Sequence, residues 1–329
     1  MSYAQGGLID AADYNGFVGS SPASTANRIN TIWSTGSGAW GYGQTALAQV
    51  ASTNLVTATQ WASAVNTLNS IKTHQTGSGT GIGAPTAGSL VAYLSTFSSS
   101  ISTVYSSGLT FNAQGATGTG ANYAPGETAA NQQAAVTFAI TRVATFASAD
   151  QARYFFNAGG QLNFVISSVT NNDGTSRTGD MVTLLGTNLG GLTAFRANTN
   201  GGRTGTGGTQ NTNTTSVGYY GLTTSNVVIQ KITSTTSGYT SDYVQFSVKS
   251  NGLQGSNNDN GSTVTINLDM YSAARPTLPA PPPAGPGGTP PTTNVVVNDS
   301  INCTVNHRID VIYPETTNLS NVWGAVTIS

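Results

Sequence analysis

Apolar residues recur at helical spacing in the first third of the chain and mostly at alternating spacing after it. Trp61, Val65, Leu68 and Ile71 fall on one stripe, and Leu90, Leu94, Phe97, Ile101 and Val104 on another, so the spacing predicts two helices. The outer face of the second is mostly serine, a poor helix former, so burial must hold it. These helices are expected to pack on one another or on the same helices of adjacent copies. Upstream, Leu8 to Tyr14 lines up with Leu55 to Trp61: two apolar residues, an N-cap candidate, then an aromatic one helical turn on. Asn27-Arg28-Ile29-Asn30 matches Asn66-Thr67-Leu68-Asn69, and each copy closes on Thr-Gly-Ser-Gly. The first copy carries an insertion around Gly19 to Pro22 that should split its helix.

The chain then changes period. Val136 to Val143 reads as a strand, followed by a short helix with Ser148 as its cap and Gln151 completing a capping box. Tyr154 and Phe155 give this helix an apolar flank, and Asn157 to Gly160 ends it where a left-handed residue is needed. Gln161 to Val169 alternates, with Leu162, Phe164 and Ile166 on one face. Asp180 to Leu189 reads as a second short helix, stopped by Gly190-Gly191. Asn226 to Ile232, Tyr243 to Val248 and Ser262 to Tyr271 read as strands, the last two joined by the Asn258 to Gly261 turn. The Gly/Thr/Asn stretch from Asn198 to Ser216 is a long loop, expected to be exposed, mobile or ordered by a neighbour. Further strands are predicted at Asn294 to Asn298, Ile301 to Val305, Ile309 to Tyr313 and Val322 to Ile328.

The predicted class is α+β: a helical module with an internal repeat (1–107), a Gly/Ala/Thr linker (108–132), and a β-rich, mainly antiparallel, sandwich-like domain with a short inserted helix (133–329). A Pro-rich segment, 275–291, is extended and semi-rigid. The piece beyond it is too short to stand alone, so its strands are expected to return to the same sheet.

Three stretches carry a family resemblance: Tyr154-Phe155-Phe156-Asn157-Ala158-Gly159-Gly160; Ala26 to Trp33 running into Gly36 to Gln44; and Ala58 to Trp61 leading to Thr73 to Gly77. Together they resemble virion structural proteins of tailed bacteriophages, particularly cyanophage and marine myovirus-like ones, over about half of the chain. From about residue 273 onward the resemblance lapses. It implies a structural role in a phage particle without saying which part; the expected place is the tail, ahead of a head decoration.

Composition fits that expectation. Charged residues are 7% of the chain, against roughly 25% in ordinary soluble chains. Gly, Ser, Thr, Asn and Gln replace them, at a net charge of −1. So neutral a surface does little to keep copies apart and suits a subunit that lives against others, although a secreted Thr/Asn-rich β-protein has much the same composition. The basic residues are scattered from Arg28 to Arg308, giving no nucleic-acid footprint. Cys303 stands alone, so no intrachain disulfide is expected, and neither a secretory signal nor an apolar run of membrane-spanning length is seen. Assembly in a host cytoplasm and release by lysis would fit both the reducing interior and the extracellular-looking surface.

Candidate chemistry is thin. Glu127 and Glu315 are the only glutamates. A glycosidase would need two facing carboxylates, and Asp173, Asp180, Asp242, Asp259 and Asp269 are the candidates. Asp173 and Asp259 sit in turns, and Asp180 reads as a helix cap. His74 and His307 have no second ligand at metal spacing; His74 is placed to interact with a helix dipole. Cys303 reads as a core residue, and the Gly-rich segments lack the lysine of a phosphate loop. Neither a cofactor nor a catalytic site is expected.

The expected function is that of a non-enzymatic virion subunit acting by symmetric self-assembly and attachment to the tail, as part of a fibre, collar, baseplate, tube or sheath. Its expected partners are copies of itself and other tail or neck proteins, with neither nucleic acid nor membrane insertion involved. The alternatives are a host-glycan receptor-binding module of tailspike type and a bacterial surface filament subunit. Assembly candidates are Trp33, Trp40, Tyr42 and Trp61, which also read as the small core of the helical module; the central Tyr154, Phe155, Phe156, Asn157, Gly159 and Gly160; and Tyr219 with Tyr220, read as an exposed contact beside the polar loop.

Overall fold

The computed structural model describes residues 10–19, 28–88, 94–129, 134–253, 260–275 and 300–329. Four helices form the N-terminal module: α1 (Ala11–Val18), α2 (Ile29–Trp33), α3 (Ala58–Thr76) and α4 (Leu94–Ser107). Asp10 caps α1 by accepting from the Asp13 N–H at 2.8 Å. Thr57 caps α3 through a closed capping box, its hydroxyl accepting from the Gln60 N–H while Gln60 Oε1 accepts from the Thr57 N–H. The two caps occupy matching positions of the repeat. So do the rings they place, Tyr14 and Trp61, which pack with centroids 6.1 Å apart. The first copy is split into α1 and α2, as its insertion implies. Leu8, Ile9 and Leu90 lie outside the described residues.

The repeat also places asparagines. Asn30 brackets Leu47, donating to its carbonyl and accepting from its N–H, both at 2.9 Å. At the matching position Asn69 donates to the Ile82 carbonyl at 3.1 Å and accepts from the Thr80 N–H at 2.8 Å. A side-chain amide has the donor–acceptor pair of a peptide unit, so it pins a passing extended segment without a sheet. The stripes meet in between: Trp61, Val65, Leu68, Ile71, Phe97, Ile101 and Val104 are all buried within the one chain. Phe17 packs edge-on against Trp61 at 5.8 Å and Phe97 at 5.3 Å. The helices cover one another, and their apolar faces are not left for a neighbouring copy. Among the described residues, the large apolar side chains that remain exposed are Leu55 and Leu253.

The rest of the chain alternates strands with two short helices: β1 (Gln114–Gly118), β2 (Gly126–Ala129), β3 (Val136–Thr145), α5 (Ala149–Asn157), β4 (Gln161–Asn171), α6 (Ser176–Val182), β5 (Leu192–Phe195), β6 (Thr209–Asn213), β7 (Val227–Thr233), β8 (Tyr243–Ser250), β9 (Thr263–Ser272), β10 (Ile301–Pro314) and β11 (Thr327–Ile328). A π-helical turn, Thr183–Leu189, continues α6. One sheet runs β1-β10-β4-β5 with β2 also on β10; the other runs β11-β3-β9-β8-β7-β6, and all the pairings are antiparallel. Side chains of the two sheets meet, Phe164 against Phe246 at 5.1 Å. The chain is therefore α+β, helical first and β-rich after, as the pattern predicts.

Four details differ from the sequence reading. The linker holds β1 and β2, whose composition favours turns; Gly115 lets β1 lie on the Pro314 carbonyl where any Cβ would collide. Ile301 to Tyr313 is one strand, β10, kept continuous by an irregular register at Asn306/His307, and it sits inside the sheet. Of Val322 to Ile328 only β11 pairs. The long polar loop is ordered by its own chain: β6 lies within it, and the Asn200 N–H donates to the Thr215 carbonyl at 2.8 Å. The predicted strand Asn294 to Asn298, the Pro-rich stretch after Arg275 and Asp259 fall outside the described residues. None of the described helices is long and apolar enough to cross a membrane.

Candidate functional site

The stretch after α2 is a glycine loop in which Gly36, Gly38, Gly41 and Gly43 all have positive φ (47°, 54°, 101° and 73°). It folds back on its own helix through Tyr42 N–H to Ile32 O (2.8 Å), Gly43 N–H to Ser34 O (2.8 Å) and Gln44 N–H to Trp33 O (2.9 Å). The carbonyls of Thr35, Gly38, Trp40 and Gly41 are left to be met by another element.

That element is α5. Ser148 caps it by accepting from the Gln151 N–H at 3.1 Å. The expected capping box does not close, because the buried Gln151 Oε1 has no hydrogen-bond partner among the described residues. Arg153 and Asn157 lie four apart and so share a helix face. Arg153 donates to Trp40 O (2.7 Å) and Thr35 O (2.6 Å); Asn157 Nδ2 donates to Gly38 O and Gly41 O, each at 3.0 Å. The Tyr220 hydroxyl lies 2.6 Å from both Asn157 Oδ1 and Gly38 O and donates to this pair of acceptors. Gly43 lies flat on the Tyr154 ring, where a Cβ would collide. Gly159 (φ 90°) does the same for Phe111, and Gly160 for Phe155. Phe155 packs against Phe146, Phe156 and Tyr313, and Phe156 stacks on Tyr219 at 4.4 Å.

Two of the stretches that carry the family resemblance thus grip each other directly. Most of the candidate residues are buried in this junction and in the core, while Trp33, Trp40 and Tyr220 are half-buried. Trp33 donates to Thr45 O at 2.9 Å, and Trp40 stacks on Tyr105 at 4.9 Å. Tyr42 is fully buried with its hydroxyl donating to Gly108 O (3.2 Å), and burial pushes that hydroxyl's pKa far up. Trp61 is the centre of the helical core. The reading of Tyr219 and Tyr220 as an exposed contact is corrected. Tyr219 is buried and donates to Gly261 O at 3.2 Å, and Tyr220 is half-buried. Their N–H groups are held by Arg196 O and Ala197 O, which turns the rings inward.

The ionisable groups are tied up as well. His74 Nδ1 meets Glu315 Oε1 at 2.9 Å, joining α3 to the segment after β10. Burial lowers the His74 pKa more than Glu315 raises it, which disfavours the dipole cation that its place in the last turn suggests. Burial raises the Glu315 pKa, but hydrogen bonds from His74 and from the Asn318 and Thr317 backbone outweigh it and hold the carboxyl below the usual range. His307 accepts from Arg142 Nε at 2.9 Å, stacks on Phe164 at 5.4 Å and carries its proton on Nδ1 toward Val305 O.

Asp173 is a turn residue, accepting from Thr175 N–H (3.0 Å) and the Ser300 hydroxyl (2.7 Å). Thr175, not Asp180, caps α6. Asp180 instead accepts from the Ser234 hydroxyl at 2.6 Å, and burial raises its pKa. Asp242 accepts from Ser272, Ala273 and Arg275, beside the fully buried Arg177, which also binds Ser272. Cys303 is buried in β10. Among the described residues no group of three His, Cys, Asp or Glu could hold a metal ion.

Arg153, Gln44 and Glu315 are the junction residues the sequence reading did not single out. Gln44 brackets Ser320, donating to its carbonyl at 2.9 Å and accepting from its N–H at 2.8 Å. Of the polar junction groups Asn157 and Tyr220 were named in the sequence reading, Asn157 by its place in a helix-ending Asn-Ala-Gly-Gly. Among the described residues, one cleft of about 370 Å³ is bounded by Phe111, Phe156, Gly159 and Arg196, and another of about 360 Å³ lies between β1 and the Trp323 loop. Comparison with protein-family models, with curated proteins and with solved structures finds no match to this chain.

Proposed function

We propose that this chain is a non-enzymatic structural subunit of a tailed-bacteriophage particle, attached to the tail and working by symmetric self-assembly. Its partners are copies of itself and neighbouring tail or neck proteins; it assembles in the host cytoplasm and leaves with the virion. The resemblance of the Gly36 to Gln44 and Tyr154 to Gly160 stretches supports the family, and their mutual grip makes them one unit of the fold.

The observation that carries assembly is the outer edge of β3. Among the described residues β11 covers it only at Ala144 and Thr145, with the Val143–Ser329 backbone pair beside them. Val143 exchanges both bonds with Ser329, so its N–H and C=O face the open side. By the two-residue period of a strand, those of Thr141, Ala139 and Thr137 face the same way. From Val136 to Thr141 this edge holds neither charge nor proline, and its ten pairs with β9 run without a register break. The other edges are blunted: β1, β5 and β6 have broken registers, and β2 has four residues. A straight, neutral edge is a template for a strand from a neighbour.

Gold-labelled antibody against the chain tests the reading. Decoration of the tails of intact particles is expected. Label on the host envelope, or on no particle, would overturn it.

A further inference from the structure

A cleft of about 370 Å³ opens where three separate stretches converge: Leu109 to Phe111 leaving α4, the end of α5 at Phe156 and Gly159, and the turn Arg196 to Thr199 after β5. Its frame is rigid. The Arg196 N–H donates to Thr199 O at 2.8 Å, and the Arg196 and Ala197 carbonyls accept from Tyr219 and Tyr220 at 2.8 and 2.7 Å. Phe195 and Ala197 anchor the turn in the core. Phe111 rests on Gly159, so close that a Cβ there would lie 2.5 Å from the ring.

The side chains of Thr110, Arg196, Asn198 and Thr199 are mounted on this frame, are exposed and make no hydrogen bond with any described residue. The Arg196 guanidinium carbon sits 5.6 Å over the Phe111 ring, which orients the fork and leaves its donors free. Among the described residues no carboxylate lines the cleft, and Leu109, Phe111 and Phe156 supply an apolar floor.

We propose that this cleft binds an acidic sugar: a ring whose C–H face meets the apolar floor, whose hydroxyls meet Thr110, Asn198 and Thr199, and whose carboxylate takes the Arg196 fork. Guanidinium and carboxylate match in a planar, two-bond geometry that a neutral sugar cannot use. The size suits a small ligand at the lower end of ordinary pockets. One such exposed contact is weak, on the order of millimolar, and repetition on an assembled particle would multiply it. The site stands on its own geometry and does not depend on the assembly reading.

Saturation-transfer NMR on the full chain, with glucuronate, glucose, acetate and inorganic phosphate as separate probes, tests it. Glucuronate is expected to bind saturably, about tenfold more tightly than glucose or acetate. Arg196→Gln should remove that advantage and Asn198→Ala weaken glucuronate severalfold, while Lys249→Ala, remote from the cleft, changes nothing; thermal melts certify that each variant is folded. Three results would overturn the proposal: no saturable glucuronate binding, glucuronate binding indifferent to both Arg196→Gln and Asn198→Ala, or phosphate competing as well as glucuronate, which marks a plain anion site.

Discussion

Asn157, fully buried at the end of α5, donates to the carbonyl of Gly38 at 3.0 Å across 119 residues of sequence. The same amide serves Gly41 O, and its oxygen takes the Tyr220 hydroxyl. Asn157→Ala leaves Gly41 O without this donor and leaves Gly38 O and the Tyr220 hydroxyl only each other. An unsatisfied buried group costs about 1–3 kcal/mol, so a loss of about 2–3 kcal/mol is expected in urea unfolding. Asn157→Asp should fare no better, since a carboxylate cannot donate to either carbonyl.

Arg153 spans two carbonyls, Trp40 O and Thr35 O, from one planar fork. Lysine keeps the charge and loses the fork. Arg153→Lys should therefore cost about 1–2 kcal/mol by the same unfolding measurement.

Glycine does two separable jobs here. Gly81 and Gly43 have similar positive φ, 78° and 73°, but a Cβ at Gly81 would meet nothing within 4 Å, whereas at Gly43 it would strike the Tyr154 ring. Gly81→Ala should cost about 1–2 kcal/mol, the left-handed penalty alone. Gly43→Ala should cost clearly more, and chemical denaturation of the two variants side by side separates strain from collision.

How much of this was legible beforehand follows from how local each signal is. The Trp61 to Ile71 stripe, the Ser148 and Thr57 caps and the Gly159 stop are written within a few residues, and they hold. The backbone carbonyls held by Asn157 and Arg153 and the Glu315 partner of His74 lie 113 to 241 residues away and leave no local mark. β1 and β2 have turn-like composition and are strands because β10 lies beside them, a case of tertiary pairing overriding propensity. Tyr219 and Tyr220 looked exposed because polar text surrounds them. The loop folds inward through its own backbone, and hydropathy alone does not show that.

The His74–Glu315 contact predicts a pH dependence of definite sign. His74 has a folded pKa below its usual 6.5, so beneath that pH the unfolded chain takes up a proton that the native ring refuses. His307, lowered by burial, acts in the same sense. Glu315, held below its usual 4.5, adds a second loss when pH falls through its folded value. Stability should thus fall as pH drops from about 6.5, further below about 4.5, with Asp180, whose pKa is raised, opposing weakly near the acid end. Melting temperature against pH, for the wild type and His74→Gln, checks this: the variant should show a shallower decline between pH 7 and 5.5.

Assembly through β3 is tested most directly by light scattering on purified chain, wild type beside Ala139→Pro. The Ala139 N–H faces the open side, so proline removes a donor the subunit itself does not use. The wild type should run as a discrete oligomer and Ala139→Pro as a folded monomer with a similar melting temperature. A wild type that stays monomeric at every concentration reached, or an oligomer unmoved by Ala139→Pro, would contradict it.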